Sequence, residues 1–261
     1  MTRIAHLSDP HFGTEDPRLI APLLAFLTDA RPDLIVLSGD LTQRARAGQY
    51  AAAAQLIRRC PAPVLAIPGN HDTPLYNLPI RLLAPWRGWS AAIGATEGEW
   101  EGDAALVMAI NTANPRAWKD GLVTDAQLDR IATRTARAGT RRRIVAMHHP
   151  LEGPPGEPPS LRNATRAAER LAAAGVEIVL SGHLHFTYAA PVPAAPSILS
   201  VQAGTCLSNR TRNDGNAFNV IDLTEGGVTL THVRAQPDAT FRADADWHLT
   251  RDGGRWKGDG L

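Results

Sequence analysis

Five short apolar segments, each followed at once by polar residues, limit the folds open to this chain of 261 residues. The segments are rich in Val, Ile and Leu and are four to six residues long. Such runs are typical of strands that are buried on both faces of a parallel sheet. We therefore predict strands over residues 3–8, 34–38, 64–67, 144–147 and 177–181.

Segments with helical periodicity lie between these strands. The predicted helices cover residues 18–30, 47–60, 124–138 and 160–174. The third helix opens with a Thr-x-x-Gln capping box from Thr124 to Gln127, and the fourth ends before Gly175, a residue type common at helix ends. Because strands and helices alternate, the predicted fold class is α/β.

The polar clusters follow the strands with regular spacing. Asp9, Asp40 and Asn70 are 31 and then 30 positions apart, which is about one βαβ unit. Sites in open α/β sheets gather at the carboxyl ends of the strands, so we expect the clusters to converge. The five motifs are Asp9-Pro10-His11, Gly39-Asp40, Gly69-Asn70-His71-Asp72, His148-His149-Pro150 and Gly182-His183-Leu184-His185.

These motifs combine carboxylates, an amide and imidazoles, which are ligands of divalent metals. Taken singly, each motif has a simpler explanation: Asp-x-His caps many turns, and a histidine near a core is often only a satisfied polar group. The occurrence of all five motifs in order, each at a strand end, favours a two-metal site, the kind of site that hydrolyses phosphate esters.

The motifs resemble the pattern D-x-H, G-D, G-N-H-[DE], H-x-P and G-H-x-H of the calcineurin-like metallophosphoesterase superfamily. Within it, the chain is most similar to bacterial class III cyclic-nucleotide phosphodiesterases and glycerophosphodiesterases. The resemblance implies a four-layer αββα sandwich in one domain, with a core over 1–235 and a C-terminal edge hairpin or cap extension over 236–261. Residues 198–202, 217–222 and 228–233 are then expected to form the second sheet.

The resemblance also implies two divalent metal ions, with manganese favoured and iron or zinc as alternatives. His148 is preferred over His149 as a ligand because H-x-P places the ligand two positions before Pro150. Asp40 is expected to bridge the two ions. The implied ligands are Asp9, His11, Asp40 and His185 for the first ion, and Asp40, Asn70, His148 and His183 for the second.

Five further residues are candidates for contact with the substrate or for catalysis: His71, Asp72, His149, Arg210 and Arg212. In the resembled family, the residue at the His71 position steadies the substrate phosphate or protonates the leaving oxygen. Asp72 either orients His71 or caps a turn. His149 is expected near the pocket, and Arg210 and Arg212 either bind the substrate or form ion pairs with Asp214.

The leading functional prediction is hydrolysis of a small phosphodiester, a cyclic nucleotide or a glycerophosphodiester, by metal-bound hydroxide. The alternative is a phosphomonoesterase or pyrophosphate hydrolase that acts on nucleotide-linked or lipid-precursor substrates. A metal-binding scaffold without activity is a third reading, which the complete set of motifs argues against.

Composition excludes other partners. The net charge is +1, and the one short basic run, residues 141–143, precedes a strand, so sequence-specific binding of nucleic acid is not expected. No apolar run approaches the roughly 20 residues of a membrane span. The chain enters a strand at once and shows no signal peptide, so we predict a cytoplasmic protein. A homodimer is left open.

Two long segments lack a motif. Residues 73–118 hold four of the six tryptophans, Trp86, Trp89, Trp100 and Trp118, which are expected to form local core; a role as pocket wall is the alternative. The proline-rich residues 151–159 are expected to loop over the site. Residues 240–260 are predicted to form a hairpin that covers the pocket or makes dimer contacts.

Overall fold

The computed structural model describes residues 2–153, 159–212 and 215–258. Within these ranges, two β-sheets pack face to face, and helices cover the outer face of each sheet. The strands are β1 (Thr2–Leu7), β2 (Leu34–Leu37), β3 (Val64–Ala66), β4 (Gly98–Glu101), β5 (Ala105–Ala109), β6 (Arg142–Ala146), β7 (Ile178–Ser181), β8 (Tyr188–Val192), β9 (Ala195–Gln202), β10 (Ala217–Leu223), β11 (Gly227–Ala235), β12 (Phe241–Asp252) and β13 (Arg255–Gly258).

The predicted helices are present but slightly shorter than expected. The capping box at the start of the helix predicted over 124–138 is confirmed, since Thr124 Oγ1 accepts from the Gln127 N–H at 3.3 Å and Gln127 Oε1 accepts from the Thr124 N–H at 2.7 Å. Gly175, with φ +75°, follows the end of the helix predicted over 160–174. The helices are α1 (Ile20–Ala30), α2 (Ala47–Arg59), α3 (Leu78–Leu83), α4 (Arg87–Ala92), α5 (Asp125–Thr135) and α6 (Ala164–Ala173).

The strands divide between the sheets differently from the prediction. One sheet has the order β13-β12-β11-β10-β1-β2-β3, and the other has the order β4-β5-β6-β7-β9-β8. The expectation that β9, β10 and β11 form one sheet is therefore wrong. Strand β10 pairs antiparallel with β1 in the first sheet, whereas β9 pairs parallel with β7 in the second.

Three apolar cores separate the layers and confirm the four-layer sandwich. Leu23 and Leu27 of α1 pack with Leu37 on the outer face of the first sheet. Ile131 of α5 and Leu171 of α6 lie in the corresponding core of the second sheet. The middle core joins the facing sides of the two sheets, so each central strand is apolar on both faces.

The tryptophan-rich segment contributes both core and surface. Trp89 of α4 is completely buried in the core of the first sheet, and the partly buried Trp100 of β4 packs on the middle core. These two residues agree with the prediction of local core. Trp118 does not, because 64% of its surface is exposed.

The C-terminal strands β12 and β13 form a hairpin at the edge of the first sheet. Trp256 Nε1 donates to the carbonyl oxygens of Glu177 at 3.0 Å and Ser197 at 3.2 Å. Glu177 precedes β7, so the hairpin docks near the amino ends of the second sheet's strands, away from the carboxyl ends.

The greater part of the proline-rich loop, residues 154–158, lies outside the described residues. Among the helices described, none has the length and apolar character to cross a membrane.

Candidate metal centre

All seven predicted ligands lie at the carboxyl ends of strands, where the two sheets meet. Strands β1, β2 and β3 of the first sheet lead to four of them, and strands β6 and β7 of the second sheet lead to three. The first four are Asp9, His11, Asp40 and Asn70; the other three are His148, His183 and His185. The site is therefore a seam between sheets, and neither sheet could form it alone.

Five of these seven residues have a left-handed backbone. The φ angles are 52° at Asp9, 44° at His11, 50° at Asp40, 75° at His183 and 61° at His185. Residues with a Cβ adopt this conformation at an energetic cost, and such strain gathers at functional sites. The backbone thus bends sharply after each strand, which turns the side chains toward a common centre.

The first group of ligand atoms is compact. One atom from each of Asp9, His11, Asp40 and His185 lies within 4.8 Å of the others. Asp9 Oδ1 is 3.5 Å from His11 Nε2 and 3.3 Å from His185 Nε2, and the two Nε2 atoms are 3.1 Å apart. Two imidazoles and two carboxylates at this separation can hold one divalent cation.

The second group is centred on Asn70. Asn70 Oδ1 is 3.3 Å from His148 Nε2 and 3.1 Å from His183 Nδ1, and His148 Nε2 is 3.4 Å from Asp40 Oδ2. Asp40 Oδ2 is also 3.7 Å from His11 Nε2 of the first group. Asp40 therefore lies between the two groups, in the place that a bridging carboxylate occupies in a two-metal site.

The hydrogen bonds of Asp9 fit metal binding. Its Oδ2 accepts from Ser8 Oγ at 2.6 Å and from the His183 N–H at 2.9 Å. Its Oδ1 is buried and has no hydrogen-bond partner within the described residues. Buried carboxylate oxygens are normally paired, so the unpaired atom, facing two imidazoles, is suited to coordinate a cation.

The glycines of three motifs are required by close packing within the site. A Cβ on Gly39 would overlap the His148 ring, and one on Gly69 would overlap the Asp40 carboxylate. A Cβ on Gly182 would overlap the Ser8 hydroxyl and the Asp9 carboxylate. Each glycine therefore makes room for a ligand that belongs to another motif.

The electrostatics of the site favour anionic carboxylates. Burial opposes ionisation of Asp9, but contact with the His11 and His185 imidazoles holds the pKa of Asp9 well below its usual range. Burial also opposes ionisation of Asp40, and the neighbouring His148 imidazole nevertheless lowers the pKa of Asp40. Both side chains are thus negatively charged at neutral pH, the state in which carboxylates bind metals.

The histidines divide into two kinds. Burial lowers the pKa of His148, but the Asp40 carboxylate outweighs it and raises that pKa to about 9. Burial, together with repulsion from His148, lowers the pKa of His183 to about 3. The Asp40 carboxylate therefore favours a positive charge beside it, whereas burial keeps His183 neutral, the state in which an imidazole binds a metal.

His71 lies beside this centre and is held from both sides of its ring. Its Nδ1 is 2.9 Å from the Gln43 carbonyl oxygen and 3.1 Å from Arg44 Nη1. Arg210 Nη1 is 3.1 Å from His71 Nε2 and donates to Gln43 Oε1 at 3.2 Å. The backbone N–H of His71 donates to Asp40 Oδ1 at 2.7 Å. Arg210 and His71 thus form one unit next to the proposed bridging ligand.

Asp72, predicted either to orient His71 or to cap a turn, does the latter. Its buried carboxylate accepts from the backbone N–H groups of Leu41 at 3.0 Å, Thr42 at 2.8 Å and Gly69 at 2.9 Å, and from Thr42 Oγ1 at 2.8 Å. Within the described residues no hydrogen bond joins it to the His71 imidazole. Its assignment as a catalytic residue is therefore replaced by a structural one, because its acceptor sites are taken up by the turn.

His149 was expected near the pocket but is buried beside it. Its side chain is completely buried, with Nδ1 2.8 Å from Thr112 Oγ1 and the ring packed against Gly121, and it does not line the cleft at the site. One ligand atom from each of His148, His149 and His183 lies within 4.8 Å of the others, and His149 Nε2 is buried without a hydrogen-bond partner within the described residues, so His149 adjoins the second group of ligand atoms. Because it is buried and does not line the cleft, His149 is not placed to contact a substrate there.

A cleft of about 690 Å³ opens over the centre. Arg210 and Arg212, which were predicted either to bind the substrate or to pair with Asp214, both line this cleft, and Arg212 Cζ lies 5.8 Å from the centroid of the Phe186 ring. Asp214, the alternative ion-pair partner, lies outside the described residues. Lys119, Asp120 and Ser160 also line the cleft, although none of them belongs to a motif that could have identified it from the sequence.

Comparison with known proteins agrees with this geometry. The calcineurin-like phosphoesterase family profile matches residues 2–186, and the chain belongs to that family. The chain is 26% identical over 255 residues to a protein of Rhodococcus erythropolis named a probable cyclic nucleotide phosphodiesterase, covering 88% of this chain and 79% of that one. It is 28% identical over 159 residues to a glycerophosphodiester phosphodiesterase of Enterobacter lignolyticus, covering 56% of each. The protein is accordingly a phosphoric ester hydrolase.

Solved structures share the fold at low sequence identity. A dimetal phosphatase from Danio rerio superposes with a TM-score of 0.66 and 11% identity, covering 93% of this chain and 98% of that one. A purple acid phosphatase from yellow lupin superposes with a TM-score of 0.71 and 14% identity, covering 97% of this chain and 54% of that one. These similarities establish the two-sheet α/β architecture.

Proposed function

We propose that this protein is a dinuclear metal-dependent phosphodiesterase that hydrolyses a small diester of the cyclic-nucleotide or glycerophosphodiester class. The observation that carries the proposal is the pair of ligand groups that share Asp40 at the seam of the two sheets. A shared carboxylate offsets the repulsion between two cations about 3.5–4 Å apart.

The residues present fit two hard or borderline divalent ions. Such ions would supply activation of water and neutralisation of phosphate oxygens. We assign Mn²⁺ as the favoured ion, with iron and zinc as alternatives, because the ligand atoms are oxygen and nitrogen. The proposed ligands are Asp9, His11, Asp40 and His185 for one ion, and Asp40, Asn70, His148 and His183 for the other.

The chain's own groups would bind and orient the substrate phosphate. Arg210 lies beside His71 at the edge of the metal centre, where a guanidinium can hold an anionic phosphate oxygen. His71 is placed either to position the phosphate or to give a proton to the leaving oxygen. Lys119 and Arg212 add positive charge farther along the cleft.

The names of the two relatives support the diester class, since one is called a probable cyclic nucleotide phosphodiesterase and the other a glycerophosphodiester phosphodiesterase. The alternative, a phosphomonoesterase or pyrophosphate hydrolase, uses the same metal chemistry. The two readings differ in the number of substituents on the attacked phosphate.

The test is a comparison of two substrates under control of metal. Protein stripped with a chelator should hydrolyse neither bis-p-nitrophenyl phosphate nor p-nitrophenyl phosphate, and added Mn²⁺ should restore hydrolysis of the diester more than that of the monoester. Preference for the monoester would favour the alternative. Full activity in a preparation shown to contain no metal would overturn both.

A further inference from the structure

The loop that carries Lys119 and Asp120 is fixed at its base. Ala113 and Gly121 form an antiparallel bridge, and the Leu122 N–H donates to the Thr112 carbonyl oxygen at 2.9 Å. Gly121 packs on the His149 ring so closely that a Cβ there would overlap it. The loop between residues 113 and 121 therefore stands directly on the side of the metal centre.

Arg81 of α3 fixes the outer part of the same loop. Only 4% of its surface is exposed, and its guanidinium donates to the Pro115 carbonyl oxygen at 2.7 Å, to the Ala117 carbonyl oxygen and to Thr73 Oγ1 at 2.6 Å. All these acceptors are neutral oxygens. Burial of a cation is costly unless the cation is hydrogen-bonded, so breaking any of these bonds would be unfavourable. The bonds from Arg81 therefore hold the loop in one conformation.

Trp118 lies at the outer part of the loop that Arg81 fixes. Arg81 Cζ lies 5.2 Å from the centroid of the Trp118 ring and over its face, whereas 64% of the Trp118 surface is exposed. Trp118 lines a small pocket of about 40 Å³ together with Asn70 and His71, and these two residues also line the main cleft. The exposed indole is thus adjacent to the place where the substrate phosphate is proposed to bind.

We propose that Trp118 stacks on a planar aromatic group of the substrate, such as a nucleobase, and so selects nucleotide diesters over aliphatic diesters. The proposal rests on the proposed phosphodiesterase function and assigns its specificity to one residue. The Arg81 contact orients the indole before binding, so little conformational entropy is lost when a base stacks on it.

Two readouts on the metal-loaded protein test the proposal. The first is kcat/KM for adenosine 3′,5′-cyclic phosphate and for glycerophosphoethanolamine, an aliphatic diester. The second is the calorimetric affinity for adenosine 5′-monophosphate and for glycerol 3-phosphate. Trp118→Ala should weaken both readouts for the adenosine compounds by about fivefold or more, the usual effect of losing a stacking partner, and change those for the glycerol compounds by less than about twofold. Trp118→Phe should restore most of the loss.

Leu83→Ala is the matched control, since Leu83 is 86% exposed on nearby α3 and lines neither the small pocket nor the main cleft. It should change neither readout. An equal loss for adenosine and glycerol compounds in Trp118→Ala, no loss at all, or a wild-type protein that does not bind adenosine 5′-monophosphate overturns the stacking role. If neither diester is hydrolysed but Trp118→Ala still loses affinity for the nucleotide selectively, the diesterase function fails and the stacking role stands.

Discussion

The two ends of β7 show two ways in which this fold buries polar groups. At its amino end, Glu177 pairs with Arg142 at 2.7 Å and with Arg251 at 3.1 Å. At its carboxyl end, the chain turns through the left-handed residue His183 toward Asp9, whose Oδ1 has no hydrogen-bond partner within the described residues. Charge is neutralised by the protein itself at one end, whereas ligand atoms are left available at the other.

This difference separates stability from function. An ion pair that is formed within the chain contributes to holding the C-terminal hairpin on the second sheet. A strained backbone costs stability, so the left-handed residues gathered at the carboxyl end, next to a buried carboxylate oxygen without a partner within the described residues, identify the site of chemistry. The four predictions that follow test this separation.

The largest effect is expected from Asp40→Ala at the carboxyl end. Asp40 lies between both groups of ligand atoms, so the variant should bind neither ion and lose detectable activity. Asn70→Ala, which alters only the second group, should lose mainly one ion. Metal counting on the purified variants checks both expectations. Two ions retained in Asp40→Ala would show that it is not the bridge.

His71→Ala should separate chemistry from metal binding at the same end. Its ring belongs to neither ligand group, so the variant should keep close to two metal ions and lose about 10²–10⁴-fold in rate if His71 gives a proton to the leaving oxygen. The loss should be larger for an alkyl leaving group than for p-nitrophenolate. Equal losses would assign His71 to phosphate positioning. Loss of metal along with rate would make it structural.

At the amino end, Glu177→Ala should affect stability and spare the chemistry. Removing the carboxylate leaves Arg142 and Arg251 without their buried partner, which typically costs about 3–5 kcal/mol. Chemical denaturation should report this loss, while kcat and metal content of the folded variant stay unchanged. A drop in kcat without a change in stability would show that the two ends are coupled.

The smallest effect is expected from Lys257→Ala. Lys257 pairs with Asp252 at 2.6 Å in the same hairpin, but 64% and 71% of these side chains are exposed. Solvent screens such pairs, so the denaturation midpoint should not shift measurably. A shift as large as that of Glu177→Ala would mean that burial is not what distinguishes the two ion pairs.

The sequence predicted the elements and the site better than the arrangement of strands. Each central strand is a local apolar run, so its position follows from neighbouring residues; the prediction over 34–38 differs from β2 by one residue. Sheet membership depends on pairing between distant segments. Strand β10 pairs with β1 across more than 200 residues, and no local pattern records that contact.

The same limit explains the side chains that were misjudged. Asp72 is adjacent to His71 in the sequence, yet its carboxylate turns to amides around position 41, about 30 residues away. Arg81 carries no motif, and its bonds to Pro115 and Ala117 exist only in the folded chain. Motifs thus predicted which residues meet at the centre, whereas long-range contacts decide what supports them.

The packing of the glycines in the motifs limits how the motifs can change during evolution. Gly39 leaves room for His148, and Gly182 leaves room for Asp9, so the space for one ligand is encoded in a different motif. A bulkier residue at Gly39 displaces a ligand more than 100 positions away along the chain, and one at Gly182 displaces a ligand more than 170 positions away. Substitution of one of these glycines is therefore tolerated only where the ligand that it leaves room for no longer needs to bind a metal. In related lineages the motifs should be inherited together, or should decay together once metal binding is no longer selected.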